Sequence, residues 1–238
     1  MGESVVDGNN GAYKAFDIDT AETVHVGSFK IQAFKMFAFY VQNADLTLDH
    51  IEVDGFQSVS GGASFTGGAL VLGGIAYGAS NRESTVDLSD IYVHDLSSPD
   101  AVFVAGVRIT AKAAGFTTHA SAHNVTIARI TSTLLSTVQS FGVQLSGDGG
   151  GTLIADMGNI TVDGMSSTSP NVSAAIGAVG VVFGNTATIQ QVLQNITIRD
   201  FNVSGDGARS AALLLAGGAG QNGDVATINT ITQNLFLS

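Results

Sequence analysis

A short pattern that recurs along most of the chain limits what this sequence can fold into. A polar residue followed by an apolar–polar–apolar strand occurs five times, with first apolar residues at Leu46, Val86, Val125, Ile160 and Ile196, and a clipped copy begins at Leu235. The successive spacings between these residues are 40, 39, 35, 36 and 39. Repeats of this length are typical of stacked structural units, in which each unit contacts only its neighbours.

Each unit holds further strand-like runs, so its geometry can be specified more closely. A second apolar run recurs, for example at residues 106–109 and 142–145, and a weaker third run precedes the next copy, as at residues 152–154. Three short strands per unit fit one turn of a parallel β-helix, where each strand pairs with its counterpart about 4.8 Å away. The sequence therefore predicts an all-β, right-handed parallel β-helix of about five to six large coils.

Within the first copy the apolar positions change their spacing once. Leu46 and Leu48 are two residues apart, whereas Ile51 follows Leu48 after three residues, and Val53 restores the alternation. Such a break indicates a bend or a β-bulge. The same break recurs at residues 89–90, 128–129, 163–164 and 199–200.

Asparagine precedes the strand in the last four copies, at Asn124, Asn159, Asn195 and Asn234. Asparagine tolerates a left-handed backbone, and its amide bonds backbone groups at turns. Stacked amides can also bond each other from coil to coil, so the pattern predicts a structural asparagine ladder. In the aligned position of the first two copies stand Asp45 and Thr85, where we expect a weaker ladder. The simpler alternative is that asparagine only favours turns.

The first 45 residues depart from the repeat. Residues 23–41 concentrate large apolar side chains, among them Phe29, Phe37 and Tyr40. Because the exposed end of a solenoid must be protected against edge-to-edge association, we interpret residues 1–45 as an atypical first coil with a cap, and residues 46–238 as the repeats. The alternatives for residues 23–41 are an aromatic ligand site and a membrane-inserting segment.

An antiparallel β-barrel is the main competing fold, because it would also show alternating strands of this length. Tryptophan is absent, and aromatic residues make up 7% of the chain. The strand copies also resemble each other more closely than a barrel requires. These observations favour the β-helix.

The asparagine-led strands and the glycine-containing second runs resemble the right-handed parallel β-helix repeats of secreted and surface-exposed bacterial proteins. Autotransporter passengers, adhesins and pectate-lyase-like domains belong to this group. The resemblance covers roughly residues 46–238 and implies an extracellular or cell-surface location, while leaving the activity open. Residues 1–4 (Met-Gly-Glu-Ser) show no secretion signal. The chain is therefore either a mature or excised piece with an added Met or a protein that is not secreted by that route, and we favour the excised piece.

Charge and composition exclude several classes of partner. The chain has 9 Lys and Arg residues against 20 Asp and Glu residues, a formal net charge of −11. This balance argues against nucleic acids, whose binding relies on basic side chains, and is compatible with glycans or cations. No apolar stretch is long enough for a transmembrane helix. The absence of cysteine excludes disulfides and thiolate chemistry.

The breaks predict a column of polar side chains in which His50, Asp90 and Arg129 stack in three successive coils. An acid, a base and an arginine on one face could bind a uronate or act in general acid–base catalysis. This makes a polysaccharide-active enzyme (a lyase, hydrolase or epimerase) an alternative function. The simpler interpretation is a surface ladder of opposite charges, and the sequence motifs of pectate lyases and polygalacturonases are absent.

A calcium- or ice-binding solenoid is a further alternative. Asp7, Asp17 and Asp19 are candidate Ca²⁺ ligands, although their spacing fits no EF-hand and favours a solvated loop. An interrupted column of threonines motivates the ice-binding alternative; its members are Thr47, Thr126, Thr161 and Thr197. β-Propensity explains those threonines more simply, and we predict no cofactor.

The repeat, the missing catalytic motifs and a final copy that stops inside a strand together favour a non-enzymatic role. We expect an extracellular structural or adhesive module, such as a subunit of a fibre or surface assembly. The exposed C-terminal coil is expected to associate with another copy or with a neighbouring domain.

Overall fold

The computed structural model describes residues 4–9, 14–55, 71–112, 114–147, 149–168, 175–183, 187–204, 209–217 and 227–238. They form thirteen β-strands: β1 (Ser4–Asp7), β2 (Lys14–Asp19), β3 (Thr23–Gln32), β4 (Phe37–Gln42), β5 (Asp45–Asp54), β6 (Val71–Ala79), β7 (Ser84–Ala111), β8 (Thr117–Gly147), β9 (Thr152–Thr168), β10 (Ala175–Phe183), β11 (Thr188–Ser204), β12 (Arg209–Gly217) and β13 (Thr227–Leu237). Among these residues no helix is long and apolar enough to span a membrane.

The strands stack as a parallel β-solenoid, as predicted. Every strand pairing among the described residues is parallel, which excludes the antiparallel alternative. One stack runs in the order β1-β3-β5-β7-β8-β9-β11-β13. A second stack, β2-β4-β6, joins β7, and β8 continues it through β10 to β12. The long strands β7 and β8 belong to both stacks because they run around the bends of the coil.

About four turns of the solenoid are regular. Equivalent positions of successive turns are Ser84, Thr118, Leu153, Ile189 and Ile228, so these turns are 34 to 39 residues long. Our prediction of five to six large coils was slightly too high. The turn from β3 to β5 is only 22 residues long, and the turn before β7 passes through residues 56–70, which lie outside the described residues.

The register of the first two repeat copies differs from the alignment based on sequence. Val125 pairs with Ile91, which in turn is equivalent to Ile51, whereas Val86 pairs with Ala120. The first two copies were therefore aligned five residues too early. The error has a simple cause: the segments before and after the bend have the same apolar alternation, so this pattern alone does not distinguish them.

The hydrophobic core follows the predicted change of spacing. Leu46, Leu48, Ile51 and Val53 all point inward and are at most 1% exposed. Each of these positions stacks on an apolar counterpart in the next turn, and one continuous core extends from Ile31 to Ile198. Burial of apolar surface contributes roughly 25 cal/mol per Å², so the stacked core supplies the main driving force for coiling.

Two columns of left-handed residues turn the chain at fixed places. The first bend consists of Ser28, His50, Asp90, Asn124, Asn159, Asn195 and Asn234, with φ between 52° and 62°. The second bend lies five residues later and consists of Ala33, Gly55, Asp95, Arg129, Gly164 and Asp200, with φ between 48° and 72°. Glycine, asparagine and aspartate adopt this conformation most readily, which explains their recurrence. The predicted breaks are confirmed as bends.

The described part of residues 1–45 continues the same solenoid with shorter turns. Strands β1 and β3 stack on β5, and strands β2 and β4 stack on β6. The rings of Phe16 and Phe39 stack with centroids 4.7 Å apart, and Phe37 is fully buried. Phe16 and Phe39 therefore pack in or against the core of the narrow turns, whereas Phe37 packs against Tyr40 outside it.

Candidate functional site

The candidate catalytic residues His50, Asp90 and Arg129 border the short arm between the first and second bends. We call its outer surface in the turns formed by β3, β5, β7 and β8 the charged face. It consists of Lys30, His50, Glu52, Asp54, Asp90, Tyr92, His94, Asp95 and Arg129. These side chains point outward because they alternate with the inward residues of the arm or occupy the bends.

The four asparagines Asn124, Asn159, Asn195 and Asn234 lie in the column of the first bend and bond each other from turn to turn. The Nδ2 of Asn159 donates to Oδ1 of Asn124 (3.0 Å), that of Asn195 to Asn159 (2.9 Å), and that of Asn234 to Asn195 (2.9 Å). Each amide thus donates to the preceding turn and accepts from the following one. The left-handed backbone holds every side chain of the column in the same orientation.

The structure changes which residues begin this ladder. His50 and Asp90 occupy the first bend, whereas Asp45 and Thr85 lie five residues before it. The ladder extends to Asp90, because Asn124 Nδ2 donates to Asp90 Oδ1 over 3.1 Å. Asp45 instead accepts the backbone N–H of Thr85.

The expected stacking of His50, Asp90 and Arg129 is wrong for Arg129. Arg129 belongs to the second bend, where it lies over Asp95 of the preceding turn. Its guanidinium binds both carboxylate oxygens of Asp95, with Nε 2.6 Å from Oδ1 and Nη2 2.7 Å from Oδ2. The error follows from the register, since the five-residue arm separates Arg129 from the column that holds Asp90.

A network of alternating charge, which sequence reasoning missed, lies behind this pair. His94 is 6% exposed and packs against Tyr92, with ring centroids 4.3 Å apart. Its Nε2 lies 3.1 Å from Glu52 Oε1, and its Nδ1 lies 2.6 Å from Asp95 Oδ2. The ammonium of Lys30 lies 2.6 Å from Glu52 and 3.0 Å from Asp54. The five-residue separation of the two bends is the sequence signal that would have identified Asp95.

The ion pairs shift the titration of their members. The bond from Arg129, supported by His94, holds the pKa of Asp95 well below its usual range. Glu52 and Asp54 together raise the pKa of Lys30. The bond to Lys30 lowers the pKa of Glu52. All three shifts favour the charged forms of Asp95, Lys30 and Glu52.

At the other end of the charged face, His50 lies between two carboxylates. Its Nδ1 is 2.8 Å from Asp49 Oδ2, and its Nε2 is 3.7 Å from Asp90 Oδ2. The hydrogen bond to Asp49 raises the pKa of His50, and the same bond lowers the pKa of Asp49. The imidazole side chain is 64% exposed, so solvent and solutes reach it freely.

The structure separates the candidate calcium ligands. Asp7 accepts bonds from Gln32 Nε2 and from the backbone N–H of Asn9, while Asp17 pairs with Lys14. Asp19 accepts a bond from the amide of Asn43. Among the described residues, neither group with metal-ligand spacing includes these three aspartates.

Three of the four predicted threonines share one column. Thr126, Thr161 and Thr197 pair in register on the arm between the two bends. Thr47 lies on the preceding arm, where it pairs with Asp87.

A shallow groove that was not predicted runs along the outer surface of the arm before the first bend. Its lining includes Asp87, His119, Ser121 and Asp156. Ser121 Oγ donates to Asp87 Oδ1 over 2.8 Å. Within the described part of the chain, the side chains of Asp156 and His119 form no hydrogen bond or ion pair, in contrast to the acids and bases of the charged face.

Comparison of the chain with protein families, with curated proteins and with solved structures finds no match. The roles of these residues therefore rest on their geometry.

Two substitutions of Asn159 separate the effect of the amide hydrogen bonds from the effect of the left-handed backbone. Asn159→Gly removes two amide bonds but keeps a residue suited to φ 55°, so we expect a loss of about 1 kcal/mol in the free energy of unfolding. Asn159→Ala also introduces left-handed strain, and we expect about 2 kcal/mol. Urea-induced unfolding followed by circular dichroism measures both values. Equal stability of both variants and the wild type would contradict a structural role for the ladder.

The pair of Asp95 and Arg129 gives stability a defined pH dependence. Because the folded state lowers the pKa of Asp95, the unfolded chain takes up the proton first as pH falls. The stabilisation is therefore fully present above the unfolded pKa, near 4, and is lost as the pH falls through the folded value. For this half-exposed pair we expect about 1 kcal/mol or less at pH 7.

The measurement compares urea midpoints of the wild type and Asp95→Asn, a substitution that keeps a residue suited to the left-handed bend. We expect the variant to be less stable at pH 7, with a difference that shrinks below about pH 4. Asp163→Asn is the control, because Asp163 forms no ion pair among the described residues. A difference between wild type and Asp95→Asn that does not depend on pH would refute the assignment.

Proposed function

We propose that the chain is a structural or adhesive β-solenoid module of an extracellular assembly, of the kind found in bacterial surface proteins. The observation that carries the proposal is how the charged side chains are bonded to one another. On the charged face the acids and bases bond each other between successive turns.

Two of the three candidate catalytic groups, Asp90 and Arg129, already have a partner in a neighbouring turn, whereas His50 bonds Asp49 of its own turn. The guanidinium of Arg129 binds the carboxylate of Asp95, and the amide of Asn124 donates a hydrogen bond to Asp90. A general acid or base must be able to reach a proton of the substrate. The bonds of Asp90 and Arg129 instead connect residues that are 34 apart in the sequence and lie in successive turns. Exposed pairs are individually weak, but bidentate and networked pairs are stronger. Their arrangement supports a role in holding the turns together.

The last described strand supports association through this end of the solenoid. Among the described strands, β13 pairs only with β11 and ends the stack. Leu235, Phe236 and Leu237 are 37%, 60% and 60% exposed. An exposed strand edge with apolar side chains is a template for pairing with another strand, either of a second copy or of a neighbouring domain.

The extracellular setting is part of the proposal. The resemblance to bacterial β-helix repeats motivates it, and the net charge of −11 is compatible with it. A chain without cysteine needs another source of cohesion in such a setting, and the ladder and ion pairs supply one.

A polysaccharide-active enzyme remains the second candidate, because in the groove before the first bend the side chains of Asp156 and His119 form no hydrogen bond or ion pair with any described residue. Asp87 and Asp156 are two turns apart in register, with Ser121 between them. Two steps of about 4.8 Å give a backbone separation of about 10 Å, close to the carboxylate separation of inverting glycosidases. In this alternative, Asp156 would be the group available for proton transfer.

Light scattering coupled to size-exclusion chromatography tests the first proposal. We expect the wild type to form end-stacked oligomers whose mass rises with concentration. The double variant Leu235→Lys/Leu237→Lys places charges on the open strand and should be monomeric. Phe236→Thr, which introduces the threonine found in the preceding turns, is the control that should still associate.

A wild type that stays monomeric at all concentrations would count against association through β13. Hydrolysis or cleavage on a panel of neutral and acidic polysaccharides, abolished in Asp156→Asn, would establish the second candidate instead.

A further inference from the structure

Three side chains at the start of the ladder are arranged as a metal site. Asp49, His50 and Asp90 each offer a ligand atom, and these atoms all lie within 4.8 Å of one another. The distance of 3.7 Å between His50 Nε2 and Asp90 Oδ2 is too long for a hydrogen bond. Two ligands that are each about 2.1 Å from one zinc ion lie about 3.4 Å apart in tetrahedral geometry. The gap therefore leaves room for an ion shared by His50 and Asp90.

The second ring nitrogen of His50 has the partner that such a site needs. His50 Nδ1 lies 2.8 Å from Asp49 Oδ2. A histidine that binds a metal usually donates its other N–H to a carboxylate or carbonyl, which fixes the tautomer and directs the free nitrogen. With Nδ1 donating to Asp49, the lone pair of Nε2 faces Asp90.

Both carboxylates are held in this orientation from outside the group. Asp90 Oδ1 accepts the amide of Asn124 over 3.1 Å, and Asp49 Oδ1 accepts the hydroxyl of Ser89 over 2.9 Å. In each carboxylate the other oxygen, Oδ2, faces the imidazole. The ladder thus positions Asp90 for a ligand without being part of the site.

A second group of two carboxylates and one imidazole on the charged face holds a cation. Glu52, Asp54 and His94 also lie within metal-ligand spacing of one another. There a cation is present, because the ammonium of Lys30 lies 2.6 Å from Glu52 and 3.0 Å from Asp54.

The group around His50 has no such built-in cation. At the equivalent positions one turn earlier stand Gly27 and Ser28, which carry no charge. No Lys or Arg in the described part of the chain forms an ion pair with Asp49 or Asp90. His25 of the preceding turn acts on Asp49 only at longer range.

We propose that His50 and Asp90 bind a divalent transition-metal ion such as Zn²⁺, with Asp49 orienting the imidazole and water completing the coordination. A set of one imidazole and one carboxylate suits zinc, whereas Ca²⁺ requires oxygen ligands. The ion joins β5 to β7 across two turns of the solenoid. The site is independent of the structural role proposed above, because the ladder and the core are complete without it.

Two substitutions remove the site while retaining the fold. His50→Asn and Asp90→Asn place at the first bend the residue that the same column uses in four later turns. Asparagine tolerates the φ of 52° at both positions, and its amide can continue the ladder. The control is His119→Asn, which removes an exposed histidine from the arm before the first bend.

Isothermal titration with ZnCl₂ and the absorption spectrum of the Co²⁺-substituted protein test the proposal. We expect one ion per wild-type chain, and binding at least about tenfold weaker in His50→Asn and Asp90→Asn. The His119→Asn control should bind like the wild type. Zinc should raise the melting temperature of the wild type and of the control, but not that of the two site variants.

Metal-free melting curves show whether the variants fold, and the ring resonances of His50 report binding independently of stability. Zinc binding that is unchanged in both site variants would overturn the proposal. The absence of binding at submillimolar zinc, or binding of Ca²⁺ in preference to Zn²⁺, would also overturn it.

Discussion

The left-handed residue at each bend is the constraint on which the rest of the solenoid depends. Ordinary L-residues lose roughly 1–2 kcal/mol in this conformation, so a column of such residues persists only where the stacked turns determine it. The bend changes the spacing of inward positions from two to three, as between Leu48 and Ile51, and thereby keeps the core continuous around the corner. It also turns the bend side chains outward in one orientation, which allows the amides of Asn124 and Asn159 to bond.

The same two columns organise the polar chemistry of the surface. The first bend supplies the ladder, and the second supplies Asp95 and Arg129, with a short arm of outward residues between them. Bend positions carry little of the core, so their side chains can vary at small cost to packing. His50 and Asp90 occur where later turns have asparagine, and His50 gives up a ladder bond there. Local departures from an otherwise consistent pattern are expected at functional positions, which directs attention to His50.

The sequence predicted the architecture because the apolar periodicity recurs along the chain and the repeat spacing is regular in the four turns from β7 to β13. The asparagines of the last four turns were assigned to one column, since their copies share one register. The partners of Arg129 and His94 were missed because they depend on the register of turns that are 34 to 42 residues apart in the sequence, and apolar alternation alone does not fix that register. In the first two turns the arms on both sides of the bend show the same alternation, so Thr85 was placed where Asp90 lies.

Side-chain amide contacts measured by nuclear magnetic resonance test the central claim most directly. The structure predicts nuclear Overhauser effects from the amide protons of Asn159 to Asn124 and Asn195. It also predicts contacts from the amide protons of Asn124 to Asp90, and slow exchange of these protons with water. Contacts from Asn124 to Thr85, or rapid exchange without any contact between turns, would contradict the account.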